Sequence, residues 1–170
     1  PHIEQLPGIE DGGFFSAEDV MARRARLGKR VLILDEGGNW KGCGTALKMV
    51  EEVHQVVLIT PDPLVGKELQ RTAADYPLRQ KLAQLGVRFI LESAITRWTP
   101  QGAEILSFLD GSTSFVEADS RVFATPNLAE DTLARELEDS GLKFLNIGDS
   151  AGPRQAPFVI SEAHRVALEI

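Results

Sequence analysis

Two short stretches hold the residues that could bind a nucleotide. The first is Asp35-Glu36-Gly37-Gly38-Asn39, directly after the apolar run Val31 to Leu34. A dinucleotide phosphate needs glycines here: one for the tight turn, one so the backbone can approach the pyrophosphate, and one for close packing of the next helix. Those slots fall on Asp35, Gly37 and Trp40, so only the middle one is glycine. Asp35 and Glu36 would bring two carboxylates to where a pyrophosphate sits, and a helix N-terminus cannot easily offset that repulsion. Gly37, Gly38 and Asn39 therefore read as a degenerate dinucleotide turn. Asp62 comes two places too late to grip an adenosine ribose, and Gly42 and Gly44 read as glycines that let a helix approach a sheet.

The second stretch is Gly148-Asp149, at the end of the apolar run Phe144 to Ile147 and ahead of a loop and a helix. That context offers a close backbone approach, a carboxylate that can accept from sugar hydroxyls, and amide donors at a helix N-terminus. The residues alone equally allow Asp149 to cap the turn that follows. Arg154, in the same loop, could pair with phosphate or form a surface salt bridge. His164 reads as a packed core histidine. His2 and His54 sit in a tail and a turn, and no spacing joins them into a metal site. No Ser/His/Asp or Cys/His arrangement commits to nucleophilic catalysis.

The elements that must position these residues follow from periodicity. Val31 to Leu34, Gln55 to Thr60 and Val87 to Leu91 read as buried strands of a parallel βαβαβ unit. Ala46, Met49, Val50 and Val53 form one helical stripe, and Leu78, Leu82 and Leu85, after Pro77, form another. Ser16 and Asp19 make a capping box for an earlier helix that Gly28 would stop. Its cations Arg23, Arg24, Arg26, Lys29 and Arg30 suit a helix C-terminus. Ala94 to Trp98, Ala103 to Leu109 and Thr113 to Glu117 alternate between turn sequences and predict an antiparallel meander. Asp119 to Ala124 returns as a buried strand, Asn127 and Glu130 can cap a helix with Leu133 and Leu137, and Pro157 opens a last one. The expected class is α/β: a Rossmann-like three-layer domain with a parallel sheet and an antiparallel meander, plus a partial second FAD-type α/β domain.

A chain of 170 residues with 43% hydrophobic and 25% charged residues is globular. Its net charge of −7 argues against nucleic acid, and no apolar run reaches membrane-span length. One cysteine, Cys43, cannot form an internal disulfide or supply a metal cluster alone, which points to a reducing, cytoplasmic setting.

The succession PGIEDGGFFSAEDV, GKRVLILDEGG, VVLITPDPLVG, VFATPN and LNIGDSAGPRQAPFVISEAHRVALEI resembles the C-terminal part of multidomain NADH:flavin oxidoreductases, the group of trimethylamine dehydrogenase, histamine dehydrogenase and 2,4-dienoyl-CoA reductase. The resemblance implies a parent whose N-terminal barrel carries FMN and a 4Fe-4S cluster, followed by two domains similar to the FAD and NAD(P) domains of disulfide reductases, the smaller inserted in the larger. It implies that residues 1–27 are a connector and helix of the outer FAD/ADP-type domain, 28–125 the inserted NAD(P)-like domain, and 126–170 the return segment of the outer one, whose first strand and phosphate loop lie upstream.

By the same resemblance Gly148, Asp149, Arg154, Ala156 and Pro157 lie at an FAD or ADP site. Asp35-Glu36, in place of the glycine fingerprint, suits members that pass electrons to an electron-transfer flavoprotein rather than use NAD(P)H. Pro126 replaces the usual glycine of Ala-Thr-Gly. The expected fragment is not catalytic alone. Its partners would be the parent barrel, an electron carrier or NAD(P)H, and a second copy. The alternatives are an independent NAD(P)- or ADP-binding module and a purely structural interaction domain.

Overall fold

The structure, a computed structural model, describes residues 7–8 and 13–168. The chain divides into two units, one ending at Thr125 and one beginning at Pro126. The first contains strands β1 (Phe14–Ser16), β2 (Arg30–Asp35), β3 (Gln55–Ile59), β4 (Arg88–Ile90), β5 (Ser93–Thr99), β6 (Gly102–Ser107), β7 (Thr113–Glu117) and β8 (Ser120–Ala124), with helices α1 (Ala17–Met21), α2 (Trp40–Glu51) and α3 (Asp75–Gln84). Five strands form a parallel sheet in the order β1-β8-β2-β3-β4, and β5, β6 and β7 form a separate antiparallel meander.

Alternation along β2 separates the layers. Val31 and Ile33 face a core completed by Ala17 and Val20 of α1, Ala46 and Met49 of α2, and Leu78 and Leu82 of α3. Leu32 and Leu34 face the meander, where Trp98, Ile105 and Val116 close a second core. Successive side chains of a strand point to opposite faces, so an all-apolar run is what a sheet covered on both sides requires. The result is the expected three layers: helices, parallel sheet, meander. Phe14, Trp98 and Phe123 meet ring to ring at 5.3–5.6 Å between centroids, joining β1 and β8 to the meander.

Local chemistry shifts several expected boundaries. The Ser16–Asp19 capping box forms, with the Ser16 hydroxyl accepting from the Asp19 amide at 3.0 Å. Helix α1 nevertheless stops at Met21, well before Gly28, and has no basic residue in its last turn. Arg24 instead pairs with Asp19, and Arg30 with Asp119 and Glu117. Val53 does not extend the α2 stripe, because it lies beyond the helix end in the left-handed region. Pro77 is the third residue of α3 rather than its first, and Leu85 lies past its end. The expected division put residues 1–27 with an outer domain. In the structure β1, within that stretch, pairs in parallel with β8, and Val20 of α1 enters the first unit's core.

The second unit contains α4 (Thr132–Asp139), a 3-10 turn at Gly148–Ser150, and α5 (Ala156–Ala167). Phe144 to Ile147, expected as a strand, is irregular: no strand of this unit lies among the described residues to complete its ladder. Asn127 does not cap α4, which begins at Thr132 after Asp131. Neither α4 nor α5 buries a residue, and Leu133, Leu145, Phe158 and Ile160 are all exposed.

Candidate functional site

The parity that sorts the β2 side chains also places Asp35. It is odd-numbered like Val31 and Ile33, so its carboxylate turns to the helix side, beneath the first turn of α2, and is fully buried. Gly42 lies directly against it, and a Cβ there would collide with all three carboxylate atoms. One carboxylate oxygen, Oδ1, accepts the Gly38 amide at 3.0 Å, while Oδ2 has no hydrogen-bond partner among the described residues. Burial pushes the Asp35 carboxyl up to about 6; the Gly38 and Gly37 amides oppose that rise, and the nearby Asp62 and Glu36 carboxylates add to it.

The rest of the turn is similarly occupied from within. The Asn39 side chain caps α2, accepting from the Lys41 amide at 2.8 Å. Asp62 pairs with Lys67 at 2.8 Å, and the Glu68 amide donates to the Gly38 carbonyl at 2.8 Å. Strand order reverses between β2 and β8, which is where open α/β sheets bind ligands beyond the carboxyl ends of their strands. Beside that crevice Lys41 donates to the Thr125 carbonyl at 2.9 Å and pairs with Glu18 at 2.8 Å. The amides a pyrophosphate would use already hold a carboxylate.

The second elbow is arranged in the opposite sense. Gly148 has φ 75°, a conformation that side-chain-bearing residues seldom adopt, and a Cβ there would lie 3.4 Å from Val159 of α5. The close approach is therefore between the turn and its own helix. The Gly148 amide donates to Glu162 Oε2 at 3.2 Å, and the Arg154 guanidinium pairs with that same oxygen. These donors hold the Glu162 carboxyl below the usual range, the Gly148 amide contributing most. Asp149, between them in the chain, is exposed and makes no hydrogen bond among the described residues. The turn-capping role that the sequence allowed is not taken up. Ala156 and Pro157 form the exposed first turn of α5.

Glu162 and Lys41 were not singled out from sequence. Glu162 reaches Gly148 across fourteen residues, and only the α5 register set by Pro157 could have pointed to it. His164 is exposed rather than packed. His54 Nδ1 lies 2.7 Å from the Gly28 carbonyl, and His2 falls outside the described residues. Cys43 is buried, with its thiol pushed up to about 12 by burial. No cluster of potential metal ligands and no helix long and apolar enough to cross a membrane occurs among the described residues.

A parallel sheet between helices and a meander, with a glycine turn at its switch point, defines a Rossmann-like α/β fold. No family profile matches the chain. Cinnamate reductase of Clostridium sporogenes is 30% identical over 92% of this chain and 23% of its own length. Dimethylamine dehydrogenase of Hyphomicrobium sp. is 24% identical over 98% of this chain and 26% of its own length. Among solved structures, histamine dehydrogenase from Rhizobium sp. 4-9 superposes with a TM-score of 0.87 at 24% identity, over 99% of this chain and 28% of that one. A flavoprotein disulfide reductase from Escherichia coli shares the fold at a TM-score of 0.69 and 15% identity, over 100% of this chain and 42% of that one. The chain resembles a region of the NADH:flavin oxidoreductase/trimethylamine dehydrogenase family and spans about a quarter of the length of these curated relatives, which are oxidoreductases.

Proposed function

We propose that this chain is a nucleotide-binding-like region of a flavin-dependent oxidoreductase, that it contributes to an FAD or ADP site and to electron-transfer architecture, and that it has no turnover alone. The observation that carries this reading is the contrast between its two elbow carboxylates. Asp35 is buried on the amides a dinucleotide would need, whereas Asp149 is exposed, its carboxylate unbonded among the described residues, and set in a 3-10 turn. Asp149 suits a ribose or ribityl hydroxyl, and Ala156 and Pro157, at the start of α5, would belong to the same site. Arg154 is engaged by Glu162 and supports the loop rather than facing a phosphate. A bound flavin would supply the redox chemistry; the residues here would bind and orient its nucleotide part.

In this reading residues 28–125 form an inserted domain that retains the dinucleotide-binding fold and has lost the dinucleotide, while 126–170 belong to an outer FAD/ADP-type domain completed by residues outside this chain. The exposed apolar faces of α4 and α5 support that assignment, as does an open hollow of about 620 Å³ beside Leu142, Phe144 and Leu145. The FMN and 4Fe-4S cluster belong to the proposed parent barrel, and the electron partner is a carrier flavoprotein rather than NAD(P)H. A cytoplasmic setting and self-association belong to the same proposal.

The decisive experiment is Asp149→Ala in the full-length protein, with FAD, ADP and FMN quantified after purification. Selective loss of the adenine nucleotide is expected. Equal loss of all three would mean that the substitution disturbs folding, and undiminished adenine nucleotide would sink the assignment.

A further inference from the structure

We infer that Glu162 is the positioning residue of the Gly148–Arg154 loop, setting the geometry of Asp149 without touching the ligand. This rests on the reading of Asp149 given above. One oxygen of Glu162 takes two donors from the loop, the Gly148 amide at 3.2 Å and the Arg154 guanidinium. Those residues bracket Asp149, so the α5 carboxylate pins the loop on either side of it. Gly148 is buried and Glu162 is largely shielded, whereas Asp149 is exposed.

Charge matters to the arrangement as well as shape. Glu162 answers Arg154, so that guanidinium is held against α5 and not free to collapse onto Asp149. Asn146 and Ser150 add a second local tie, with the Ser150 hydroxyl donating to Asn146 Oδ1 at 2.7 Å. That tie also spans Asp149, from Asn146 to Ser150, but does not reach Arg154. Nothing among the described residues except Glu162 bonds both Gly148 and Arg154 through side-chain atoms.

The test compares Glu162→Ala, Glu162→Gln and Asp149→Ala in the full-length protein, reading hydrogen exchange at the Gly148 amide and calorimetric affinity for ADP. Glu162→Gln keeps an acceptor for the Gly148 amide, and Glu162→Ala removes it. Exchange at Gly148 should rise about tenfold in Glu162→Ala and stay near wild type in Glu162→Gln. Affinity for ADP should fall about tenfold in Glu162→Ala and be partly rescued in Glu162→Gln, which keeps the acceptor for the Gly148 amide and loses the charge that holds Arg154. A general loss of stability would lower both Glu162 variants together and show no such rescue, which overturns the inference. Unchanged exchange at Gly148 in Glu162→Ala also overturns it, whatever ADP does. If ADP binds neither wild type nor any variant, the reading of Asp149 fails, while the exchange results still decide the role of Glu162.

Discussion

Asp35 folds its carboxylate back onto the amide of Gly38, at 3.0 Å, beneath the first turn of α2. The turn keeps its donors and its helix and supplies its own anion. That anion is poorly solvated: one oxygen is unpartnered among the described residues, and burial raises the carboxyl to about 6.

The first prediction concerns pH. A carboxyl whose folded value lies above its ordinary 3.8 favours the folded state most when protonated, so its contribution is fully present below about pH 4 and lost as pH rises through about 6. Across the whole window the difference is on the order of 2–3 kcal/mol, of which about half falls between pH 5 and pH 7.5. Urea unfolding of the wild type should therefore show higher stability at pH 5 than at pH 7.5. In Asp35→Asn that particular slope should vanish, whatever the variant's absolute stability. An unchanged slope would mean that Asp35 is ionised at little cost.

The two glycines near the start of α2 should respond in opposite directions. Alanine favours a helix interior by up to about 1 kcal/mol over glycine. At Gly44 nothing lies within 4 Å of an added Cβ, so Gly44→Ala should stabilise by about that amount. At Gly42 the same methyl group meets the buried Asp35 carboxylate, so Gly42→Ala should destabilise by about 1–3 kcal/mol despite its better propensity. Thermal unfolding of the pair decides it. A stabilising Gly42→Ala would show that Asp35 can move aside.

Much of the first unit was legible because each strand obeys one rule. Val31 to Leu34 is apolar at every position, which requires cover on both faces, and the change to alternation at Ala94 announces the meander that provides one of the covers. Even the destination of Asp35 follows from its parity with Ile33, once the helix side is known. The second unit was less legible. Phe144 to Ile147 has strand composition, but a strand is defined by its ladder, and no neighbour for it lies among the described residues. His164 was read as core from its place on an apolar stripe, yet that stripe is exposed. The bond from Glu162 to Gly148 is tertiary and has no local signal.

Acid stability should depend on the contact between Arg30 and Asp119. Asp119 accepts the Arg30 amide at 2.9 Å through one oxygen and the guanidinium at 2.6 Å through the other. The Arg30 side chain, then its amide, holds the Asp119 carboxyl down to about 2. A depressed carboxyl contributes stability that is present above its ordinary 3.8 and is lost as pH falls towards 2. Asp119→Asn should be less stable at pH 7 and should lose stability less steeply between about pH 4 and pH 2, as followed by circular dichroism. Both residues are solvent-accessible, so salt should narrow the difference at pH 7. Parallel curves for the two proteins would remove the contact from the account of acid unfolding.

The end of α2 carries strain that a single substitution should relieve. The Val53 amide donates to Val50 and the His54 amide to Met49, each at 3.1 Å, which is the bonding pattern of a Schellman cap. The residue at the first position past such a cap adopts a left-handed conformation, and Val53 has φ 68°. A β-branched side chain is poorly suited to that region, where glycine or asparagine is usual. Val53 is also 86% exposed, so its side chain gains little from burial to offset the strain. Val53→Gly should therefore stabilise by about 1 kcal/mol. Val53→Asn should stabilise by less, because asparagine tolerates the conformation without glycine's freedom. A loss of stability in both variants would mean that the valine methyls make contacts in the full-length protein that outweigh the backbone cost.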